Sequence, residues 1–276
     1  FSLLENDNKY IGSNQLDNQY SEGDLPCDVQ IDEVRIWSRA LSTLEIQART
    51  TMDIDINLNV SSEQVNEIGK LGLGADVVSK GELMAAIKAK INRKKIVFSG
   101  VGKTYEEIEF AVNNRILLIN AESKSEIENI HKIAKKNNRC VEIGLRMNPN
   151  VDAKTIKEIT TGKNSNKFGL TEKEIIEILK QYGKSKYLNI KCLSVHIGSQ
   201  ITSHIPYFKM LKAIQKTIDK TNFYFEYIDL GGGMGISYGQ NKKLLNYMKY
   251  SERISSFVKK NKVKIIFEPG RSIIGN

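Results

Sequence analysis

Apolar and polar positions follow two patterns that alternate along most of the chain. From about residue 60 onward, stretches with apolar residues at helical spacing are separated by short continuous apolar runs. A short apolar run between turn residues is typical of a parallel strand buried on both faces. We predict seven such strands, at 75–78, 95–99, 116–120, 141–147, 190–197, 227–230 and 264–267. Helices are predicted at 62–71, 81–91, 104–112, 123–137, 171–182, 207–220 and 242–260.

This alternation predicts an α/β fold with one of two topologies. Right-handed crossovers between parallel strands allow an open doubly wound sheet or a (β/α)8 barrel. Residues 53–59, Asp-Ile-Asp-Ile-Asn-Leu-Asn, offer one further strand. Polar residues and glycines gather at the carboxyl ends of the later strands, which is where barrel enzymes place their chemistry. We therefore predict a TIM-like barrel that is incomplete at its first strand.

The first 50 residues differ from the remainder in both pattern and charge. They hold four basic against nine acidic residues, whereas the remainder holds 37 basic against 23 acidic. Within them, residues 31–37 alternate apolar and polar positions, which is typical of a strand. Because such a step in charge usually marks a domain boundary, we predict a short β-rich segment over 1–50 and a barrel domain over 51–276.

Composition argues against several classes of protein. No apolar run approaches the roughly 18 residues of a membrane helix, and the first residues do not resemble a signal peptide. Cys27, Cys140 and Cys192 are too few and too scattered for a disulfide framework or a metal site, which suits the cytoplasm. The net charge of +9 comes from lysines spread over predicted helices, so we expect neither a nucleic-acid nor a membrane partner.

Four strand ends carry candidate chemistry. Three consecutive glycines after the strand at 227–230 would let backbone N–H groups approach an anion closely. A Pro-Gly turn separates Glu268 from Arg271, so that the two charges can face different parts of one ligand. Arg146 and His196 follow two other strands. Each feature alone also fits a structural role, but together they predict a site for a phosphorylated heteroaromatic cofactor.

Seven motifs, in order along the chain, then identify a family resemblance. From about residue 57 to the end, the chain resembles the alanine-racemase-like barrel domain of fold-type III pyridoxal-phosphate decarboxylases, and most closely their diaminopimelate branch. The motifs are GLGADVVSKGEL (72–83), VFSGVGKT (97–104), LRMNPNVDA (145–153), TGKNSNKFG (161–169), HIGSQ (196–200), DLGGG (229–233) and EPGR (268–271).

The resemblance implies a cofactor, a reaction and a set of site residues. The cofactor is pyridoxal 5'-phosphate, and the reaction is decarboxylation of meso-2,6-diaminopimelate to L-lysine in lysine biosynthesis. His196 would stack on the cofactor ring and Glu268 would pair with the ring nitrogen, as the catalytic residues. The remaining cofactor-binding residues implied are Ser199, Gly231, Gly232, Gly233 and Arg271 at the phosphate, and Asp76, Glu82 and Arg146 near the ring. The family is homodimeric, with contacts that involve a C-terminal β-domain.

The chain departs from the family in two places. The family's Schiff-base lysine, in a Lys-Ala-Asn motif, would fall close to Asn57, but the only lysine before Lys70 is Lys9. We therefore find no Schiff-base lysine. The sequence ends at Asn276, soon after the EPGR motif, so we also expect the C-terminal β-domain to be absent. Both departures predict very low activity.

A second resemblance concerns the first segment, and it leaves alternatives open. Residues 31–46 resemble the closing strand of laminin-G-like, concanavalin A-like jelly-roll domains, although so few strands cannot bury a face. One hypothesis is a decarboxylase barrel that still binds pyridoxal phosphate noncovalently. Another is a non-catalytic fused fragment. A carbohydrate-binding module formed by residues 1–50 is the least favoured.

Overall fold

Eight parallel strands pair in chain order and close into a barrel. The computed structural model describes residues 53–57, 69–151, 169–237 and 245–274. Each strand pairs with the next, and the eighth pairs with the first. The strands are β1 (Asp53–Asn57), β2 (Gly74–Val77), β3 (Ile96–Phe98), β4 (Leu118–Ala121), β5 (Val141–Arg146), β6 (Leu188–Ser194), β7 (Tyr227–Asp229) and β8 (Lys264–Phe267).

Helices connect most of the strands on the outside of the barrel. A 3-10 turn, Arg93–Lys95, leads into β3. The helices are α1 (Lys80–Lys88), α2 (Tyr105–Asn114), α3 (Lys124–Lys136), α4 (Glu172–Tyr182), α5 (His204–Thr221), α6 (Tyr247–Asn261) and α7 (Arg271–Ile274). Within the described residues no helix is both long and apolar enough to cross a membrane.

The predicted barrel is confirmed, with one difference at its first strand. β1 was expected to be incomplete, yet it pairs on both sides: Asn57 with Asp76 of β2, and Asp53 with Ile266 of β8. Ile54 and Ile56 alternate with polar residues along this segment, and this period of two is the sequence signal for a strand. The β-rich segment predicted over residues 1–50 lies outside the described residues.

Local sequence signals account for where several helices begin. At the start of α4, the Thr171 hydroxyl accepts a hydrogen bond from the Glu174 amide, while the Glu174 carboxylate accepts from the Thr171 amide. This reciprocal cap satisfies two donors that the first helical turn leaves without partners. Helix α5 begins at His204, earlier than the predicted residue 207, because proline is tolerated in a first turn where its missing N–H has no helical partner.

The barrel interior is filled by one residue from each of several strands. Asn120 of β4 and Asp229 of β7 hydrogen-bond to each other across the barrel, so both side chains point inward. Side chains alternate between inward and outward along each strand, so residues two positions away from these also point inward. Five residues of one small buried cluster occupy such inward-pointing positions: Val97, Leu118, Cys192, Tyr227 and Ile266. The larger apolar cluster packs the strands against the surrounding helices.

A buried ion pair fastens the loops that follow β3 and β4. The side chains of Lys103 and Glu126 are only 1% and 8% exposed, and their charged atoms are 2.7 Å apart. The Lys103 ammonium also donates to the carbonyls of Gly100 (2.6 Å) and Asn120 (2.7 Å). The second Glu126 oxygen accepts from the amide of Glu122 at 3.1 Å. Every ammonium proton therefore has an acceptor, and the pair fixes the backbone at two strand ends.

We predict that Lys103→Ala lowers the free energy of unfolding by about 3–5 kcal/mol, because it leaves Glu126 buried without its counter-charge. Urea denaturation followed by circular dichroism measures this loss. The matched control is Lys136→Ala, which breaks the exposed ion pair with Glu109 and should hardly move the midpoint. Equal effects of the two substitutions would contradict the role assigned to Lys103.

Candidate functional site

A cavity of about 180 Å³ lies at the carboxyl ends of the strands. Seven of the residues singled out from the sequence line it: Asp76, Arg146, His196, Ser199, Gly233, Glu268 and Arg271. Glu82 lies beside it, accepting a hydrogen bond at 2.7 Å from the backbone amide of Val78, which lines the cavity. A second cavity, of about 320 Å³, lies near the amino ends of β4 and β5 and contains none of these residues.

The three consecutive glycines form a loop that two other loops contact closely. A Cβ atom on Gly232 would lie 1.9 Å from the Glu268 carbonyl oxygen, and one on Gly233 would lie 1.9 Å from the Gly198 carbonyl oxygen. Gly231 and Gly233 also have φ angles of 61° and 79°, which strain residues with a side chain. Only glycine therefore lets the backbone of this loop reach the edge of the cavity.

Asp229, fully buried at the end of β7, holds this glycine loop in position. Its carboxylate accepts hydrogen bonds from the Gly231 amide (2.9 Å), the Ser194 hydroxyl (2.7 Å) and the Asn120 side-chain amide (2.9 Å). From α5, the Tyr207 hydroxyl donates to the Gly232 carbonyl at 3.0 Å. The loop conformation is thus set by groups from three strands and a helix.

Sequence reasoning missed this supporting network. Asn120, Ser194 and Asp229 are polar residues at the ends of otherwise apolar strands, and that pattern was the available signal. Each looks unremarkable within its own segment, because Asn120 and Asp229 are 109 positions apart in the chain. Only the closed barrel brings them together.

Burial strongly affects the carboxyl groups around the cavity. Removal from water raises the pKa of Asp76 to about 8, and the neighbouring carboxylates of Asp229 and Glu82 contribute to this rise. A hydrogen bond with Ser99 acts in the opposite direction. Burial also raises the pKa of Asp229, opposed by its hydrogen bonds with Gly231 and Ser194. At neutral pH this raised pKa favours a protonated Asp76.

His196 presents a neutral imidazole ring to the cavity. Removal from water, together with the positive charge of Arg146, lowers the pKa of His196 to about 3. Its Nδ1 atom accepts a hydrogen bond from the Gly232 amide at 3.4 Å, which also requires this nitrogen to be unprotonated. A neutral, flat ring held in one orientation is suited to stacking on a planar ligand.

Arg146 is held by a buried partner that sequence reasoning also missed. Its guanidinium hydrogen-bonds with the Glu122 carboxylate, which follows β4 and is almost fully buried. The pair connects the ends of β4 and β5. Arg146 therefore enters the cavity wall with its charge largely balanced, and Arg271 is the other guanidinium of the described cavity wall.

This donor set fits a planar ligand that carries a phosphate. The glycine loop and Arg271 provide the close backbone approach and positive charge that a phosphate needs. The neutral His196 ring provides a stacking surface, and Glu268 provides a carboxylate for a protonated ring nitrogen. In the described part of the chain, no three His, Cys, Asp or Glu side chains are arranged to hold a metal ion.

Comparison with protein families gives one match over most of the chain. Residues 48–275 match the model described as "Pyridoxal-dependent decarboxylase, pyridoxal binding domain". Diaminopimelate decarboxylase of Aquifex aeolicus is 38% identical over 224 residues, covering 80% of this chain and 53% of the relative. That of Helicobacter pylori strain J99 is 40% identical over 221 residues, covering 79% and 53%.

Solved structures agree with these matches. The crystal structure of Helicobacter pylori diaminopimelate decarboxylase complexed with L-lysine superposes with a TM-score of 0.78 at 36% identity. That match covers 83% of this chain and 60% of the other. The enzyme of M. jannaschii gives a TM-score of 0.73 at 32% identity, covering 83% and 56%.

These matches cover only part of each relative. The chain spans only slightly more than half the length of the curated relatives described above. The laminin-G-like interpretation of residues 1–50 is not borne out, since the family match begins at residue 48 and the relatives concern the barrel.

We predict that Gly232→Ala lowers the free energy of unfolding by about 1–3 kcal/mol, because the new Cβ collides with the Glu268 backbone. Chemical denaturation monitored by fluorescence checks this value. Gly81→Ala is the matched control, since its Cβ would meet no atom closer than 3.8 Å and alanine favours helix α1. A Gly232 variant as stable as the control would show that the glycine loop is not tightly packed.

Proposed function

This chain belongs to the pyridoxal-dependent decarboxylase family through its pyridoxal-binding domain, and from that premise we propose that its barrel binds pyridoxal 5'-phosphate in the cavity at the carboxyl ends of the strands. The observation that carries the proposal is the glycine loop, whose Cβ-free backbone lies between Glu268 and His196 at the cavity edge. A side chain at these positions would collide with its neighbours, so only glycine lets an anion come this close to the backbone. The amides of Gly231 and Gly232 already donate to Asp229 and His196, and we propose that the amide of Gly233, at the cavity wall, donates to the anion.

We propose a distinct role for each residue around the bound cofactor. The glycine loop (Gly231, Gly232 and Gly233), Ser199 and Arg271 hold the phosphate. Glu268 keeps a proton on the ring nitrogen, and His196 supports the ring face. Asp76, Glu82 and Arg146 lie toward the reacting side. The fixed backbone and the Asp229 network keep these groups in place before the ligand arrives, which avoids the free-energy cost of ordering them on binding.

For the whole protein we propose the decarboxylation of meso-2,6-diaminopimelate to L-lysine. The support is the identity of 36–40% to proteins named diaminopimelate decarboxylase, one of which has been solved with L-lysine. When bound, pyridoxal phosphate supplies a ring that accepts the electron pair left by the departing carboxylate. Glu268 would hold a proton on the ring nitrogen of the bound cofactor, and the neutral His196 would add no competing positive charge.

We further propose that this barrel holds the cofactor without a covalent bond. Strand β1 contains no lysine, and the cavity wall formed by the described residues contains none either. Lys103, the buried lysine that donates to the backbone of Gly100 at the cavity wall, is already bound by three acceptors. Without a lysine to exchange, turnover of diaminopimelate by this chain would be very low.

Side-chain chemistry also supports proposals about the binding partners of the protein and its location in the cell. Many helix-face lysines form ion pairs with glutamates, as Lys124 does with Glu177, so they do not form a free basic groove. We propose a small amino acid as the partner of the site, without nucleic acid or membrane. We propose a homodimer only for a protein that includes the C-terminal β-domain. We propose a cytoplasmic location, since Cys140 and Cys192 are thiols and form no disulfide in the described part of the chain.

We predict that Arg271→Ala weakens binding of pyridoxal phosphate by about tenfold to a hundredfold, because it removes a charged donor to the phosphate. Equilibrium dialysis of the cofactor measures the dissociation constant directly. Arg93→Ala, an exposed arginine ahead of β3, is the matched control and should leave the affinity unchanged. Failure of the wild-type chain to bind the cofactor would overturn the proposed function.

We also predict that borohydride reduction of the chain with pyridoxal phosphate gives only scattered surface labelling. The reason is that no lysine lines the described cavity wall. Peptide mass mapping of the reduced protein locates every pyridoxyl-lysine. A single dominant adduct at the barrel mouth would refute noncovalent binding and identify a substitute lysine.

A further inference from the structure

One side of the cavity presents a buried carboxylate with incomplete hydrogen bonding. Asp76, at the end of β2, lines the cavity and is only 4% exposed. Its Oδ1 atom is buried and makes no hydrogen bond with any described residue, although Ser99 hydrogen-bonds to the carboxyl group. A buried polar atom without a partner is costly, so it marks a place where a ligand donor would be favourable.

The charges around Asp76 are mostly of its own sign. Asp229 from β7 and Glu82 from α1 raise the pKa of Asp76 through their negative charge, whereas the positive charge of Arg146 from β5 lowers it. The Arg146 charge is already balanced by Glu122. The neutral Ser99, which follows β3, hydrogen-bonds to the carboxyl group of Asp76. An added cation would therefore gain from two carboxylates and lose little to repulsion.

The described cavity wall does not provide that cation itself. Its positive side chains are Arg146, which is paired, and Arg271, which belongs to the phosphate side of the proposed site.

We propose that Asp76, with Glu82 beside it, forms an ammonium subsite, so that the cavity prefers the aminomethyl form of the cofactor, pyridoxamine 5'-phosphate, to forms without an amine. This inference rests on the proposed function, since the phosphate and ring must bind first. An ammonium group brings three donors and a positive charge, which complete the hydrogen bonding of Oδ1 and offset the repulsion between the carboxylates.

The preference depends on pH with a defined sign. Burial raises the pKa of Asp76 to about 8, so below that pH Asp76 carries a proton that the ammonium must displace. Binding of the amine form therefore strengthens as the pH rises from 6 to 8. The charged groups that face Asp76 are Glu82, Asp229 and Arg146, and the first two act in the same direction.

The first test compares two ligands on the unaltered chain. Pyridoxamine 5'-phosphate and 4'-deoxypyridoxine 5'-phosphate share the ring and phosphate, but the second carries a methyl group in place of the aminomethyl group. Isothermal titration at pH 6, 7 and 8 gives both dissociation constants. We expect the amine to bind about tenfold more tightly at pH 8, with a smaller ratio at pH 6.

A variant then assigns the preference to one carboxylate. Asp76→Asn keeps the size of the side chain and removes its charge, so the ratio of the two dissociation constants should fall close to one and lose its dependence on pH. The affinity for 4'-deoxypyridoxine phosphate should change by a smaller factor than the affinity for the amine. Asp219→Asn, on the outer helix α5, is the matched control and should retain the full preference.

The outcomes separate this inference from the function on which it rests. Equal affinities for the two ligands in the unaltered chain overturn the ammonium subsite and leave cofactor binding intact. Binding of neither ligand overturns the proposed function and the subsite with it. The comparison on the unaltered chain decides the matter even where Asp76→Asn fails to fold.

Discussion

The Asp229 carboxylate is the group on which the geometry of the site depends. It is buried at the end of β7 and joins the Gly231 amide, the Ser194 hydroxyl and the Asn120 side chain. These hydrogen bonds connect the ends of three strands across the barrel and fix the loop that the glycines form. Without this connection, the glycine backbone would lose its position at the edge of the cavity.

The buried carboxyl groups around the site are unfavourable for folding, and two buried ion pairs hold the structure around them. Burial raises the pKa of both Asp229 and Asp76, which shows that their charged forms are disfavoured where they lie. The buried ion pair of Lys103 and Glu126 holds the loops that follow β3 and β4. The pair of Arg146 and Glu122 connects the ends of β4 and β5. Binding sites commonly retain such unfavourable groups because a ligand completes their interactions.

Much of the fold could be predicted from the sequence because its signals are local. Continuous apolar runs located β2 to β8, and the Thr171 cap located the start of α4. That His196 and Glu268 lie at one cavity could also be predicted, since parallel strands bring their carboxyl ends to one face. Contacts between distant segments could not. The burial of Lys103 and the bond between Asn120 and Asp229 arise only when the barrel closes.

Hydrogen–deuterium exchange of the backbone amides, with and without pyridoxal 5'-phosphate, tests the central claim most directly. The account predicts that the cofactor slows exchange in the peptide containing Gly231–Gly233 and in the peptide containing Glu268 and Arg271. Amides near the second cavity, at the amino ends of β4 and β5, should exchange at unchanged rates. Unchanged exchange at the glycine loop, or slowing only at the second cavity, would contradict the assignment of the site.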